Sequence, residues 1–416
     1  MATIRGLSHF SGNYYRCNLF ISSLVISLLL ISCNSTNSGN YIVGDIRSAM
    51  SNQTVLQLAD EIENVTYIPL KISANDESII GGITGYAITK KYVYVHPIEE
   101  SGIVLFDKQG NFIKTIVRYG QGPGEINGTL MRMQTDEKDN RLYIYTSERI
   151  FIYDLEGSFI ETLSPLRSSI FTSSIGSNRF AAVAFPYTTF RDGSFGVGIF
   201  TSKGDTVVIK NDFYSSLVAP EKSGFTLGMT PPAYSEQTKS VLFKTGSNDT
   251  LFRMTDNHIL PACILNLRNS NEEIVRSLDA ADFMSLRNGR FEGTGDIYIS
   301  DLFETTNQFY FRFRYNMDYY VASVSKQTGK TLVEKCQLPA SLNELGGANP
   351  ILGMVGTISY NRFPIWGSIE NNYLVQIVTP SELDLYKNSD SISIPESLRT
   401  VEEEDNPIFI LYKIKE

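Results

Sequence analysis

A pattern made of an aromatic residue, a glycine turn and an alternating strand recurs at a fixed interval along the chain. Three copies, FDKQGNFIKTI, YDLEGSFIETL and FTSKGDTVVIK, begin at Phe106, Tyr153 and Phe200, 47 residues apart each time. Glycine stands four positions after the aromatic residue in each copy, where a tight turn needs the positive φ that glycine adopts at little cost. A fourth copy, VSKQTGKTLVEK, begins at Val324 with one inserted residue. A fixed period of this length is typical of a repeat architecture.

Further alternating segments precede these turns. LYIYT and RIFIYD, for example, stand ahead of the second turn. Four short antiparallel strands per repeat predict the blade of an all-β β-propeller, and a generic β-sandwich is the alternative. The strands predicted for the first repeat, A to D, are ITGYAIT (83–89), YVYV (92–95), GIVLFD (102–107) and NFIKTIV (111–117).

The two ends of the repeat region predict how the ring closes. VTYIPL (65–70) and PIFILYKIK (407–415) are expected to pair, because a propeller leaves no edge open when strands from both chain ends share a blade. Apolar residues at near-helical spacing in 271–289 predict one short inserted helix. The period would allow up to eight blades, and the inserted segment lowers that number. We predict one propeller domain over residues 51–416.

The N-terminus is expected to be an export signal. Residues 1–32 hold Arg5 and Arg16, no acidic residue, and an apolar core that is too short to span a bilayer well. Leu30-Ile31-Ser32-Cys33 resembles a bacterial lipobox, in which Cys33 becomes the lipidated first residue. An ordinary signal peptide and an uncleaved anchor are the alternatives. Residues 33–50 are predicted to be a polar tether.

Net charge limits the partners. Removal of residues 1–32 leaves 34 basic and 45 acidic residues, a net charge of −11. This acidity argues against nucleic acid or an anionic membrane surface as a partner, so membrane contact is expected through the lipid only. Cys263 and Cys336 could pair in an oxidising compartment, and two isolated buried thiols are equally open.

Polar side chains are expected to surround one mouth of the central channel. Pairing of neighbouring strands up and down the blade places the loop between strands B and C on the same face as the loop from strand D to the next blade. Loops on a rigid scaffold are where binding usually resides, although exposed charges can also merely solvate a surface. The candidate ligand-binding residues are His96, Glu99, Glu100, Arg118, Tyr119, Gln121, Glu125 and Glu148.

Two glycine-containing motifs resemble phosphate-binding loops. In GQGPGE (120–125) Pro123 interrupts the run and no helix pattern follows, so a structural turn is predicted. TGKT (328–331) resembles the end of a P-loop, but Val324 stands where the required glycine would be, which predicts a hairpin turn.

Catalytic and metal motifs give no defined activity. Without the signal only His96 and His258 remain, and neither HExxH nor GxSxG occurs. No catalytic residue, metal ligand or cofactor is therefore assigned. Carboxylates could still hold Ca²⁺ or Mg²⁺, because hard cations take oxygen ligands.

One strand is rich in aromatic residues. In residues 308–320 Phe309, Phe311 and Phe313 share a face with Tyr315, and Tyr310, Arg312 and Arg314 point the other way. Such residues could stack on sugars or hold a carboxylate. An ordinary strand with one core face is the favoured interpretation.

The segment Val55–Leu163 resembles the six-bladed β-propeller lipoproteins common in Bacteroidetes. The likeness rests on LADEIENVTYIPL, YGQGPGEI and DEKDNRLYIYTSERIFIYDLEGSFIETL, with NDTLFRM (248–254) and the closing EDNPIFILYKIK. Residues 165–240 match weakly. The resemblance implies six blades, an NHL-like arrangement and an outer-membrane lipid anchor, without a defined activity. Surface-exported members often carry acidic residues after the lipidated cysteine; NSTNSGN lacks them, which favours the periplasmic face.

Three short sites also resemble the O-glycosylation sequon of Bacteroidetes, at Thr206, Thr250 and Ser391. Taken together, the sequence favours a lipid-anchored cell-envelope propeller that binds a glycan, peptide or envelope protein without catalysis. The alternative is a propeller enzyme, a sugar lyase or lactonase, that uses an oxygen-ligated divalent cation. The ligand and the oligomeric state stay open.

Overall fold

The described part of the chain forms six β-sheets arranged in a ring. The computed structural model describes residues 41–54, 56, 61–74, 78–98, 102–164, 169–184, 197–210, 230–244, 249–267, 297–315, 318–335, 372–387 and 395–415. The predicted signal, Cys33 and the predicted helix at 271–289 lie outside these residues. No helix among the described residues has the length and apolar character needed to cross a membrane.

The first three blades follow a short N-terminal segment. That segment holds β1 (Ile42–Gly44), α1 (Ile46–Met50) and β2 (Ile62–Pro69). Blade 1 consists of β3 (Ile83–Ile88), β4 (Tyr92–Pro97), β5 (Ile103–Asp107) and β6 (Phe112–Val117). Blade 2 consists of β7 (Leu130–Asp136), β8 (Arg141–Thr146), β9 (Ile150–Tyr153) and β10 (Phe159–Leu163). Blade 3 consists of β11 (Ser169–Ser174), β12 (Arg179–Ala184), β13 (Val197–Thr201) and β14 (Thr206–Lys210).

The remaining blades complete the ring. Blade 4 consists of β15 (Thr230–Ser235), β16 (Ser240–Lys244), β17 (Thr250–Thr255) and β18 (His258–Leu265), with β1 added at its edge. Blade 5 consists of β19 (Ile297–Glu304), β20 (Gln308–Tyr315), β21 (Asp318–Ser325) and β22 (Thr331–Lys335). The last elements are β23 (Tyr373–Val378), α2 (Pro380–Lys387), α3 (Glu396–Arg399) and β24 (Ile408–Ile414). The described strands of blade 6 are β23, β24 and β2.

The repeated glycine turns have the predicted backbone. Gly110, Gly157, Gly204 and Gly329 connect the third and fourth strands of blades 1, 2, 3 and 5, with φ between +71° and +88°. The flanking strands alternate side chains between two faces, and each face packs on the neighbouring blade. Between blades 1 and 2, for example, Tyr94 and Leu105 pack in one buried cluster with Ile144 and Tyr153. The blade prediction from the 47-residue period is therefore confirmed.

The two chain ends close the ring as predicted. Strand β2 pairs antiparallel with β24, with Tyr67 opposite Ile410, and β24 also pairs with β23. Just before β24, the buried Asn406 accepts a hydrogen bond from the Ile80 amide at 2.7 Å and donates to the Ser78 carbonyl at 2.7 Å. This side chain holds the approach to β3 against the last blade, so closure combines a sheet with a buried polar bridge.

The N-terminal boundary differs from the prediction. Residues 42–50, expected in the tether, are folded onto blades 4 and 5: β1 pairs parallel with β18, and Ile46 in α1 is completely buried. The Asp45 amide donates to Thr331 Oγ1 at 3.1 Å, and Arg47 donates to the Leu267 carbonyl at 2.5 Å. The apolar residues between polar neighbours in this segment are the signal that the prediction overlooked. The segment from Ile42 is therefore part of the folded propeller rather than of the predicted tether.

A buried ion cluster joins blades 4 and 5. Both terminal nitrogens of Arg253 donate to the Glu304 carboxylate, at 2.7 and 2.6 Å, and Lys326 Nζ lies 2.6 Å from the same carboxylate. Burial alone would raise the pKa of Glu304, but the hydrogen bonds and charges of Arg253 and Lys326 outweigh it and lower that pKa. The carboxylate therefore stays ionised and depends on both cations for its stability.

The described cysteine is a core residue. Cys263 in β18 is fully buried and carries a free thiol, and burial raises its pKa to about 12. Cys336 lies outside the described residues. Of the two open interpretations, the free buried thiol applies to Cys263.

Candidate functional site

The predicted channel mouth brings together the two kinds of loop expected there. His96, near the end of β4, lies with its Nε2 2.9 Å from the hydroxyl of Tyr119, which follows β6, and the two rings meet edge to face. On the other side of the imidazole, Nδ1 is hydrogen-bonded to Thr84 Oγ1 near the start of the innermost strand β3. Thr84, His96 and Tyr119 therefore form one hydrogen-bonded group, which we call the mouth triad.

The second blade repeats this convergence of loops. The Ser147 amide donates to the Thr129 carbonyl at 2.9 Å, and the Thr129 amide donates to Ser147 Oγ at 3.1 Å. Glu148 is exposed and packs beside Gly128, where an added Cβ would lie 3.0 Å from its Cγ. The loop between strands B and C thus meets the loop that enters the blade, as the strand order predicts.

The other candidates differ in their surroundings. Arg118 and Gln121 are exposed, and Glu99 and Glu100 lie outside the described residues. Glu125 folds back on its own loop: Oε2 accepts from the Gly122 amide at 2.8 Å and would lie 1.9 Å from a Cβ added to Gly120. This carboxylate completes the turn, so GQGPGE is the structural turn that was predicted.

A second group of polar residues, which was not predicted from the sequence, joins two blades that are not neighbours. Lys239, in the turn after β15 of blade 4, places Nζ 3.3 Å from Oδ2 of Asp136, the last residue of β7 in blade 2. Its ammonium also pairs with Glu236, whose Oε2 accepts from the Tyr234 hydroxyl at 2.9 Å. Blade 3 separates blades 2 and 4, so this bridge spans one blade at the end where the first strands stop.

Charge in this bridge is controlled by burial and pairing. Burial raises the pKa of Glu236, and Lys239 and Tyr234 only partly oppose that effect. Burial lowers the pKa of Lys239, but the hydrogen bonds and charges of Glu236 and Asp136 raise it above the ordinary value overall. The lysine therefore stays protonated, and both carboxylates pair with its ammonium instead of with another cation.

Arg132 lies on the same innermost strand as Asp136, nearer the predicted mouth. It is the third residue of β7, and its guanidinium carbon lies 4.9 Å from the ring centroid of Phe171 in β11 and 5.6 Å from that of Tyr234 in β15. NH1 donates to the Thr172 carbonyl at the long distance of 3.5 Å. NH2 is buried and has no hydrogen-bond partner among the described residues. Polar residues alternate along this innermost strand at Arg132, Gln134 and Asp136. This alternation is the sequence signal that could have indicated a polar group at the centre of the ring.

The described residues hold no cluster that supports the possible Ca²⁺ or Mg²⁺ site. Among the residues that the structure describes, no group of three or more His, Cys, Asp or Glu side chains is placed to hold a metal ion. The nearest arrangement, Asp136 with Glu236, holds the ammonium of Lys239 instead.

The aromatic strand proves to be ordinary core. Phe309, Phe311 and Phe313 of β20 are at most 2% exposed and pack in the cluster between blades 4 and 5. On the other face Tyr310 stacks on Phe303 with centroids 4.7 Å apart, and Arg312 pairs with Asp301. The favoured interpretation, a strand with a core face, is confirmed.

The candidate glycosylation sites differ in exposure. Thr206 is exposed at the start of β14, and Thr250 is half-buried in β17. Ser391 lies outside the described residues. Of the two described hydroxyl groups, only that of Thr206 stands in an exposed position.

Comparison with known proteins places the chain in a family. The family DUF4934, a domain of unknown function, matches residues 41–413. The chain belongs to DUF4934. No curated protein matches it. The resemblance deduced from the sequence is thus supported for the six-bladed propeller, and the lipoprotein and NHL-like features stay predictions.

Two solved structures are similar to this DUF4934 chain. An exported protein from Bacteroides fragilis is 18% identical over 88% of this chain and 98% of that one, with a TM-score of 0.59. At this identity its likeness shows the fold alone. A member of the DUF4221 family from Bacteroides vulgatus is 13% identical over 85% and 97% of the two chains, with a TM-score of 0.49.

Proposed function

We propose that this DUF4934 protein is a lipid-anchored cell-envelope propeller that acts as a non-catalytic binding or scaffold module. Its ligand would be a glycan, a peptide or an envelope protein, bound at the mouth where Thr84, His96 and Tyr119 meet. The observation that carries this proposal is the mouth triad itself. It holds two loops and the innermost strand of blade 1 in one hydrogen-bonded arrangement, with exposed Arg118 and Gln121 on one of these loops and exposed Glu148 on the corresponding loop of blade 2.

A rigid scaffold makes such a mouth suitable for recognition. Six blades packed face to face fix the ends of every loop, so little conformational entropy is lost when a ligand binds. Both ring nitrogens of His96 are hydrogen-bonded to hydroxyl groups, which fixes the positions of those hydroxyls relative to the imidazole. Hydroxyl groups held in place in this way can donate to or accept from a polar ligand.

The anchor is proposed from the sequence. Lipid on Cys33 would stand nine residues before Ile42, the first residue of β1, a span of at most about 32 Å when extended. The propeller would then lie close to the membrane, on the periplasmic face of the outer membrane. Radiolabelled fatty acid should be incorporated into the wild-type chain and not into Cys33→Ser. Protease added to intact cells should leave the protein uncut if the periplasmic assignment is right.

Binding is tested with a soluble protein that begins after Cys33. Its melting temperature would be measured with neutral and acidic oligosaccharides, and with Ca²⁺ or Mg²⁺ before and after a chelator. A ligand at about 100 times its dissociation constant stabilises the fold by roughly 2.7 kcal/mol, a readily measured shift. Tyr119→Phe should weaken binding, whereas Tyr94→Phe, which removes a hydroxyl bonded to the Leu155 carbonyl elsewhere, should not.

The outcomes separate the two classes of function. A saturable shift with a sugar or an envelope protein, weakened by Tyr119→Phe, supports the binding module. A cation shift that the chelator abolishes would instead support a metal-dependent enzyme. Absence of binding to every sugar, peptide and envelope protein tried would contradict the proposal.

A further inference from the structure

Arg132 is a cation whose hydrogen-bonding capacity is largely unused. A guanidinium group carries five N–H donors, and the described surroundings supply one long bond from NH1 to the Thr172 carbonyl. NH2 has no partner although it is buried. A buried donor without a partner lowers stability, and such groups in folded proteins call for an explanation. A ligand that accepts from NH2 would supply one.

The position of Arg132 suits a ligand that enters from the mouth. It lies three residues into β7, directly after the loop that carries Arg118 and Gln121, and its neighbour Met131 is 54% exposed. The rings of Phe171 and Tyr234 flank the guanidinium, which fixes its plane and leaves its edge to recognise a planar acceptor. The bridge between Lys239 and Asp136 lies at the other end of the same strand, where the side chains are already paired. A ligand is therefore expected to approach Arg132 from the mouth side.

The surrounding charges limit the ligand to a single negative charge. Asp136 and Glu236 lie in the bridge, and the chain as a whole is acidic, so a dianionic phosphate would be repelled. A carboxylate carries one charge and matches the guanidinium fork in a bidentate geometry. The mouth triad adds the hydroxyl groups of Thr84 and Tyr119, and Met131 adds an exposed apolar surface. A sugar ring has hydroxyl groups and apolar faces that would bind to these groups.

We infer that Arg132 is the carboxylate-binding residue of this channel and that the ligand is a glycan containing uronic acid. The inference rests on the proposed function, because it names the ligand class of the same mouth. In the complex the Arg132 side chain shifts, so that NH2, which is enclosed in this structure, and one further guanidinium nitrogen donate to the two carboxylate oxygens. The sugar ring lies toward Met131 and the mouth triad.

The experiment compares a charged and a neutral form of one ligand by titration calorimetry. The soluble protein that begins after Cys33 would be titrated with a neutral oligosaccharide that carries one galacturonate residue and with its methyl ester, which keeps the sugar and removes the charge. We expect saturable binding of the acid, and at least tenfold weaker binding of the ester. Arg132→Met should bind the acid at least tenfold more weakly, and Arg132→Lys should lie between. Arg399→Met, at an exposed arginine of α3, is the control and should bind like wild type.

Each contrary result overturns the inference. Equal binding of acid and ester by the wild-type protein does so without any variant, which covers the case in which Arg132→Met fails to fold. Unchanged affinity in a folded Arg132→Met also does so, as does absence of binding to oligosaccharides that carry one galacturonate, one glucuronate or one mannuronate residue. Binding of peptides through a C-terminal carboxylate, with no binding of uronates, would overturn the sugar assignment. If neutral glycans or an envelope protein bind in a Tyr119-dependent manner while uronates do not, the proposed function stands without this inference.

Discussion

Lys108 carries a buried amino group between blades 1 and 6, and its replacement by methionine tests how burial controls charge in this protein. Nζ has no hydrogen-bond partner among the described residues and lies 4.7 Å from the ring centroid of Tyr373. Burial lowers the pKa of Lys108 to about 8, with a small opposing effect from Glu137. Because this pKa lies below the value of 10.5 for an exposed lysine, the folded protein gives up the proton first. The free energy of unfolding therefore rises with pH between the two values.

The size of the effect follows from these two pKa values. Between pH 7 and pH 9 the contribution of Lys108 to the free energy of unfolding should rise by about 1.4 kcal/mol. Methionine keeps the apolar stem and removes the charge, so Lys108→Met should be more stable than wild type at pH 7, and that advantage should shrink by about 1.4 kcal/mol by pH 9. Other groups titrate equally in both proteins and cancel in the difference.

Urea unfolding of the soluble protein at pH 7, 8 and 9 measures this difference. The control is Lys203→Met, which changes an exposed lysine in the turn of blade 3 and should follow wild type at every pH. A difference between wild type and Lys108→Met that stays constant from pH 7 to pH 9 would show that the amino group is solvated in the folded protein. The reasoning from burial would then be refuted.

Three further changes test the packing between blades. Glu304→Ala leaves the half-buried cations Arg253 and Lys326 without their counter-charge and should lower the free energy of unfolding by about 1.5–3 kcal/mol in urea. In the wild type, since the pKa of this carboxyl is lowered, stability should fall as pH drops below about 4.5. Gly110→Ala and Gly204→Ala both place alanine at positive φ, but only at Gly110 would the new Cβ lie 2.0 Å from a backbone oxygen, so its melting temperature should fall further; equal losses would contradict this. Asn406→Ala should cost about 1–3 kcal/mol and speed hydrogen exchange at the Ile80 amide, and unchanged exchange would count against the bridge.

Much of the fold could be predicted because the local chemistry of each turn repeats. The glycines at positive φ and the alternation around them depend on neighbours within about ten residues, which a sequence displays directly. Closure by β2 and β24 was equally predictable, since an edge strand at each chain end needs a partner. The position of β1 was not, because its pairing with β18 joins residues more than 200 positions apart and its three residues carry little pattern.

The candidate site was predictable only in part, for the same physical reason. Strand order within one blade placed His96 and Tyr119 on one face, and the structure brings their side chains to 2.9 Å. Glu125 was predicted to face a ligand, yet its carboxylate is bonded inside its own turn. Arg132 and Lys239 were not predicted, because their contacts join blades 2 and 4. No local sequence pattern shows which residues of two non-neighbouring blades meet.

The bridge from Lys239 to Asp136 changes the electrostatics around Arg132, because it neutralises a carboxylate on the same innermost strand. The rings of Phe171 and Tyr234 lie 4.9 and 5.6 Å from the guanidinium carbon and reduce its contact with water. An interaction between charges is stronger where water is excluded, so a carboxylate that reaches Arg132 gains more there than at an exposed arginine. The same surroundings make a guanidinium without acceptors costly, and this cost favours ligand binding. Opening the bridge with Lys239→Met should therefore weaken uronate binding even though Lys239 touches no ligand, and unchanged affinity in that variant would separate the bridge from the site.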